Sequence, residues 1–469
     1  MTGSSPTLDS EPANARTDDS RKLNIAIVGG GIGGLCLAIG LLSHPHLSIK
    51  IYEAAPAFSE IGAGVACGAN AARALSLIDP TGALTRAYSK CATHDALPGR
   101  EEIWFPMRHG QVGQGGEAVG SEIWTIRNQR PKEMGWDGAG RARSCLHRAD
   151  FLKELVELIP DGVAEFGKAF TGFETLDVDG GKGVRVQFAD GTSATADVII
   201  GCDGIKSAVR TAVLKDTGRN VEPSYTGAYA YRALVPIAAA KELLPEELAT
   251  CGSIYCGYGS YSTNYLVSKG EYLNVIFICS VSSATRTAGT QPSWPHDQWQ
   301  APATKEEMLE DLQGWHPGLL ELMGRYSNYS QWALFDLPHD ESYVHPRGLI
   351  ALMGDSAHAA TPHCGAGASQ AIEDAFVLSR LLGQVKQTEQ MGAALQAYDA
   401  VRRPRSQKLV RYSAKAMGMY TDVKDDTVEA REARREMEEM YRWIWDEDLE
   451  AEVEEAQRIM RKELDLDAR

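Results

Sequence analysis

The sequence predicts an α/β fold: a parallel-sheet domain built from separated segments, an inserted β-rich domain, and a C-terminal helical region. Three observations carry this. The apolar run Leu23-Asn24-Ile25-Ala26-Ile27-Val28 enters the turn Gly29-Gly30-Gly31-Ile32-Gly33-Gly34 and then an apolar helix, Ile32 to Leu42. The same strand-into-glycine pattern returns late in the chain, where Gly348 to Met353 leads into Gly354-Asp355. Between them, from about Val221 to Asp336, β-rich segments dominate.

Each element has a local reason. Leu23 to Val28 is apolar on nearly every residue, as a strand buried on both faces requires. Ser48 to Tyr52 reads as its parallel neighbour, with Glu53 at the C-terminal end, which completes a βαβ unit. His147-Arg148-Ala149-Asp150 opens an amphipathic helix expected to run to about Ile159. Val184 to Phe188, an Asp190-Gly191 turn and Ala194 onward form a hairpin. Asp197 to Ile200 then leads into Gly201-Cys202-Asp203-Gly204, a further strand-to-turn junction. The β-rich part reads as strands Tyr229 to Pro236, Ile254 to Tyr258, Asn264 to Ser268 and Leu273 to Ser280, around one helix near residues 304–315. A long helix is expected from Gly367 to Leu382, and charged helices from about Leu395 onward. The expected partition is a disordered leader over 1–20, a first domain over 21–220 and 341–385, a β-rich domain over 221–340 and helices over 386–469. Residues 90–140 are open to either domain.

Bulk properties narrow the function. A formal charge of −16 argues against nucleic acid and anionic membrane partners, which need basic surfaces. Much of the acid lies late (Asp425-Asp426, Glu438-Glu439, Asp446-Glu447-Asp448) and says little about a site. The nine scattered cysteines include no Cys-x-x-Cys, so neither a disulfide framework nor a metal site is indicated. No apolar run is long enough to span a bilayer and none resembles a secretion signal, so a cytoplasmic protein is expected.

Gly29, Gly31 and Gly34 satisfy Gly-x-Gly-x-x-Gly between a strand and a helix. That spacing permits a tight turn, close approach of pyrophosphate to backbone and close helix–strand packing. Glu53, at the end of the next strand, is placed to accept ribose hydroxyls. This unit alone leaves NAD and FAD open. The remaining motifs are Glu60-Ile61-Gly62-Ala63-Gly64, His147-Arg148, Asp197 with Gly201-Cys202-Asp203-Gly204, Ser207 and Val209-Arg210, Gly354-Asp355, and Pro362 with Gly365-Ala366-Gly367. In that order they resemble the single-component flavoprotein monooxygenases, the family of para-hydroxybenzoate hydroxylase. The nearer likeness is to salicylate hydroxylases and fungal hydroxylases of polyketide phenols, with Trp332-Ala333-Leu334-Phe335-Asp336 and Trp443-Ile444-Trp445 adding to it.

The resemblance implies a Rossmann-like FAD-binding domain, NAD(P)H as a transient reductant, and oxygen transfer to a phenolic ring from a flavin C4a-hydroperoxide. It implies that Glu53 holds the adenosine ribose, Arg148 reaches the pyrophosphate and Asp355 bonds the ribityl side. Gly365 to Ala368 would offer amides to the flavin edge where reduction builds negative charge, with Ala66, Gly367 and Ala368 touching FAD through main-chain atoms. His358 reads as a packing residue behind the flavin; His363 faces the ring in an open role, and Cys364 is a small filler.

Phenolate reacts far more readily than phenol. Lowering a phenol from a pKa of about 10 by three units takes about 4 kcal/mol of differential stabilisation. Arg232, within the expected strand Tyr229 to Pro236, is the candidate catalytic group; the competing reading is an edge Arg paired with a surface acid. Tyr265 is the second candidate. The family often shows Tyr-Pro there, with His one turn earlier; here Leu266 follows and Tyr261 stands at the earlier position. A ring carboxylate at the attacked carbon would leave as carbon dioxide, and an alkyl group there would leave a dearomatised dienone. Two further classes remain: a flavin carrier or regulator without oxygenation, and a plain NAD-dependent dehydrogenase. Trp443 and Trp445 suggest that the late charged helix packs onto the body or onto a second subunit, so a homodimer is also open.

Overall fold

The computed structural model describes residues 21–467 apart from 59–63, 113–115, 117, 129–140, 179–180, 216–217, 282–291 and 422–426. The leader and the Glu60-Ile61-Gly62-Ala63 motif thus lie outside the described residues. A five-stranded, all-parallel sheet forms in the order Ile350–Leu352, Val198–Gly201, Leu23–Val28, Leu47–Glu53, Ala164–Phe166. Burial explains it. Ile25, Ile27, Val198, Ile199 and Ile200 are at most 1% exposed, so both faces of the central strands are covered. The helix Ile32–Leu42 packs on the helix Gly367–Leu382. The two approach closely where Gly33 meets Ala371 and Gly40 meets Ser379.

Facing this layer is an eight-stranded sheet, ordered Gln300–Pro302, Ser330–Asp336, Ser224–Pro236, Tyr272–Ser280, Ser260–Val267, Ser253–Cys256, Ile103–His109, Glu122–Arg127. Its last two strands come from the stretch 90–140. They join through a parallel pairing of Ser253–Cys256 with Ile103–His109. The single helix expected near 304–315 is Lys305–Asp311, closed by a Thr304–Glu307 capping box. Three more accompany it: Ile237–Leu243, Glu246–Thr250 and Pro317–Tyr326. Pro236, Pro245 and Pro317 stand at the starts of these three helices, where a missing N–H costs nothing. The helix at Arg148 ends at Val156, short of the expected Ile159.

The C-terminal region forms helices Met391–Thr421, Val428–Trp445 and Leu449–Asp467. They return to the body through charge as well as apolar packing. Arg402, 0% exposed, donates to Glu373 at 2.8 Å, Asp374 at 2.8 Å, Gln370 Oε1 at 2.8 Å and Glu452 at 3.1 Å. Arg405 adds bonds to Glu373 at 2.8 Å and Glu447 at 2.8 Å. Among the described residues no helix is long and apolar enough to cross a membrane.

Removing one partner of such a network strands the other charges in the interior. Arg402→Met, which keeps the volume and removes the cation, is expected to lower stability by about 3–5 kcal/mol. A urea-unfolding midpoint unchanged from wild type would contradict this.

Candidate active site

A cavity of about 1020 Å³ separates the two sheets. Its walls hold Gly29 to Gly34 and Glu53, then Gly354, Asp355 and Gly365 to Ala368, then Arg232, Tyr261, Tyr265 and Trp332. All nine expected cofactor residues and both expected catalytic residues line this one space or its glycine turn.

At the glycine turn, Gly29 has φ +107°, and a Cβ there would overlap the Cys202 carbonyl. A Cβ on Gly34 would overlap the carbonyl of Gly29. Gly31 is the N-cap of helix Ile32–Leu42 and offers no side-chain acceptor, so the first-turn amides are left for an anion. Glu53 accepts from the Gly30 amide at 2.7 Å and the Ala55 amide at 2.8 Å. Each oxygen keeps a lone pair for a ribose hydroxyl. Arg148 lines the same space as the first residue of helix Arg148–Val156.

A second helix start lies further along. Gly367–Leu382 begins behind Gly365, which is left-handed at φ +61°, and its N-cap Ala366 supplies no side-chain acceptor. A Cβ added to Gly367 would meet nothing within 4 Å. Ala66 stands opposite, with its Cβ 3.7 Å from where a Gly365 Cβ would lie. Asp355 is exposed, and the Gly354 amide before it donates to Asp374 at 2.9 Å. Arg210 clamps the Asp203-Gly204 loop to this block by donating to the carbonyls of Ile205 at 2.8 Å and Ser356 at 3.0 Å. Two uncapped helix starts, a ribose acceptor and a groove kept open by glycines together fit FAD: pyrophosphate at the first helix, the flavin edge at the second.

Arg232 lies in Ser224–Pro236, an interior strand flanked by Tyr272–Ser280 and Ser330–Asp336. The edge-strand reading therefore does not describe it. Its guanidinium sits 5.0 Å from the Trp332 ring centre, and its buried Nε has no hydrogen-bond partner among the described residues. Burial lowers its proton affinity. Tyr265 is 5% exposed, with its phenol pushed up by burial, and its ring lies 6.2 Å from Phe105.

His358 faces away from this space, bonded through Nε2 to Asp374 at 2.6 Å. Burial pushes the Cys364 thiol up to about 12, so it stays a neutral filler, 3.8 Å from the Met440 sulfur. His363 does line the cavity: its Nδ1 is 2.7 Å from the Tyr261 hydroxyl, and burial lowers it to about 3. Of the rest of this aromatic cluster the sequence reading named Trp445 alone. Tyr420 packs 4.9 Å from the Tyr261 ring and bonds Tyr441 at 2.8 Å; Trp445 stacks on Tyr441 at 5.0 Å and lies 5.1 Å from Trp104. The available signal was Tyr441 and Trp445 spaced i,i+4 inside an otherwise charged helix.

The chain matches the family model described as FAD binding domain over residues 22–413. It is 37% identical over 439 residues to the 6-methylsalicylate 1-monooxygenase of Aspergillus terreus, covering 93% of this chain and 92% of that protein. It is 38% identical over 450 residues to a salicylate hydroxylase of Pseudomonas putida, covering 93% and 95%. Among solved structures, a salicylate hydroxylase substrate complex aligns with TM-score 0.77 at 33% identity, covering 93% of this chain and 98% of that one. The chain belongs to the FAD-binding domain family and is an FAD-dependent monooxygenase of phenolic rings, as its motifs implied.

The glycines separate two effects. Gly34→Ala is expected to lower both stability and FAD content, since its Cβ strikes backbone. Gly367→Ala has room in the protein, so the apoprotein should melt as wild type while FAD affinity falls about tenfold through displacement from one amide. Titration of apoprotein with FAD and a melting curve read the two apart; equal FAD affinity in Gly367→Ala would remove that helix start from the site.

Proposed function

We propose that the substrate is a phenol bearing a carboxylate beside its hydroxyl, a salicylate-type ring, hydroxylated at the expense of NAD(P)H and O2. One observation carries the reading: Arg232, a half-buried cation whose buried Nε has no hydrogen-bond partner among the described residues, lines the cavity whose other walls fit FAD. FAD, when bound, supplies the oxygen-transfer chemistry, which no side chain can perform. Glu53, Arg148, Asp355 and the amides of Gly29, Gly31, Gly34, Gly367 and Ala368 would hold it, with Ala66 against its ring.

The remaining residues act on the substrate. A carboxylate or phenolate oxygen satisfies Arg232, and the charge-assisted bond favours the anionic, electron-rich ring. Trp332 and Tyr265 bound the aromatic faces, and Tyr441 with Trp104 excludes water from the far side. The partition this uses keeps 21–220 and 341–385 for the cofactor and 221–340 for the substrate, with Ile103–His109 and Glu122–Arg127 joining the latter. We place the reaction in the cytoplasm, a reducing setting that suits nine unpaired cysteines.

Arg232→Ala is expected to retain FAD while the KM for salicylate rises by about tenfold or more, the loss of one charge-assisted bond. NAD(P)H oxidation should then yield hydrogen peroxide in place of hydroxylated product. The assay compares salicylates, resorcinols and acylphenols. Near-normal coupled hydroxylation in the variant would overturn the assignment of Arg232, and activity indifferent to the carboxylate would overturn the substrate class.

A further inference from the structure

Tyr261 stands where its own hydroxyl leaves little choice. It is 2% exposed, and its ring is packed between His363, at 5.6 Å, and Tyr420, at 4.9 Å. Its hydroxyl has one hydrogen-bond partner among the described residues, Nδ1 of His363 at 2.7 Å. The neighbouring Tyr420 hydroxyl is already committed to Tyr441 at 2.8 Å. A buried hydroxyl proton must go to an acceptor, because leaving it unsatisfied costs about 1–3 kcal/mol. Among the described residues the Tyr261 proton has only Nδ1 to go to. Nδ1 is then the unprotonated nitrogen of a neutral imidazole, and the ring's proton sits on Nε2. No hydrogen bond within the described protein uses Nε2, and His363 lines the cavity.

We propose that Tyr261 is a positioning residue that holds His363 in the Nε2–H form, so that the ring presents a hydrogen-bond donor to an oxygen of the substrate. It rests on the salicylate-type reading of the same site. His363 does not take the phenol proton. Two further facts agree. Burial lowers His363 to about 3, against a cationic ring, and burial pushes the Tyr261 phenol well above its usual range, so it remains a donor. Arg232 and His363 thereby divide the work: a cation that draws an anionic oxygen, and a neutral donor that fixes the ring's orientation without gaining charge.

The direct test is the tautomer, read in the FAD-loaded, full-length protein by nitrogen-15 and proton NMR of labelled histidine. His363→Gln identifies the signal among the eleven histidines by its loss. Wild type should show a pyrrole-type Nε2 and a pyridine-type Nδ1, and Tyr261→Phe should show a mixture or the reverse. Protonated Nδ1 in wild type, or an unchanged pattern in Tyr261→Phe, overturns the proposal whether or not salicylate is the substrate.

A second measurement tests the donor. Salicylate is titrated into oxidised enzyme without NAD(P)H, and binding is followed by the flavin spectrum. A glutamine can donate near the Nε2 position and cannot act as a base. His363→Gln should therefore bind salicylate about tenfold or more tightly than His363→Leu, the value of one hydrogen bond to a charged oxygen. Equal weakening in both variants would overturn the donor role. Failure of wild type to bind salicylate would instead fell the substrate reading, leaving the tautomer to decide the role of Tyr261.

Discussion

The Asp374 carboxylate is fully buried and meets three partners at once: the Gly354 amide at 2.9 Å, the His358 imidazole at 2.6 Å and the Arg402 guanidinium at 2.8 Å. Burial alone would push this acid up. His358 and Arg402 outweigh it and hold the carboxyl well below the usual carboxylate range. Asp374 lies on the helix that starts at Gly367, and Gly354 opens the turn that carries Asp355. One ionised group thus locks two cofactor-facing blocks into one rigid arrangement. Arg402 in turn is held by Glu373, Gln370 and Glu452, so the C-terminal helices take part in setting the site.

Arg232 presents the opposite case within the same molecule. The Arg402 cluster satisfies its buried charges with protein partners, and the result is rigidity. Arg232 is left with a buried Nε that has no partner among the described residues, beside the face of Trp332. Such a group is destabilising in the empty protein, and a core evolved only for stability would replace it with an apolar residue. Under the proposed function its cost is recovered when an anion enters, and the unsatisfied Nε would then select charged rings over neutral ones.

Legibility in the sequence followed locality. The parallel sheet, the two glycine turns and the helix Gly367–Leu382 were readable because each is encoded by a short contiguous pattern. The aromatic wall was not. Tyr261, His363, Tyr420 and Tyr441 belong to four elements far apart in the chain, and only packing brings their hydroxyls and ring nitrogen together. Arg232 was readable as an anomaly, a charge in a strand, but its centrality depended on which strands flank Ser224–Pro236. The short helices after Pro236 and Pro245 were missed because proline marks a turn and a helix start alike.

The aromatic wall also explains why a helix so charged must end in tryptophans. Val428–Trp445 shows solvent mostly Glu and Arg, while Met437, Met440, Tyr441, Ile444 and Trp445 are buried on one face. That face seals the cavity beside Trp104 and places the Tyr420–Tyr441 bond behind Tyr261. An apolar, low-dielectric wall strengthens any charge-assisted bond made beside it, which under the proposed function is that of Arg232 to an anion. The last helices thus reach the cavity from two sides: through Arg402 and Arg405 they hold the helix Gly367–Leu382, and through Tyr441 and Trp445 they set the polarity around the groups to which the proposed function assigns the chemistry, Arg232 and His363.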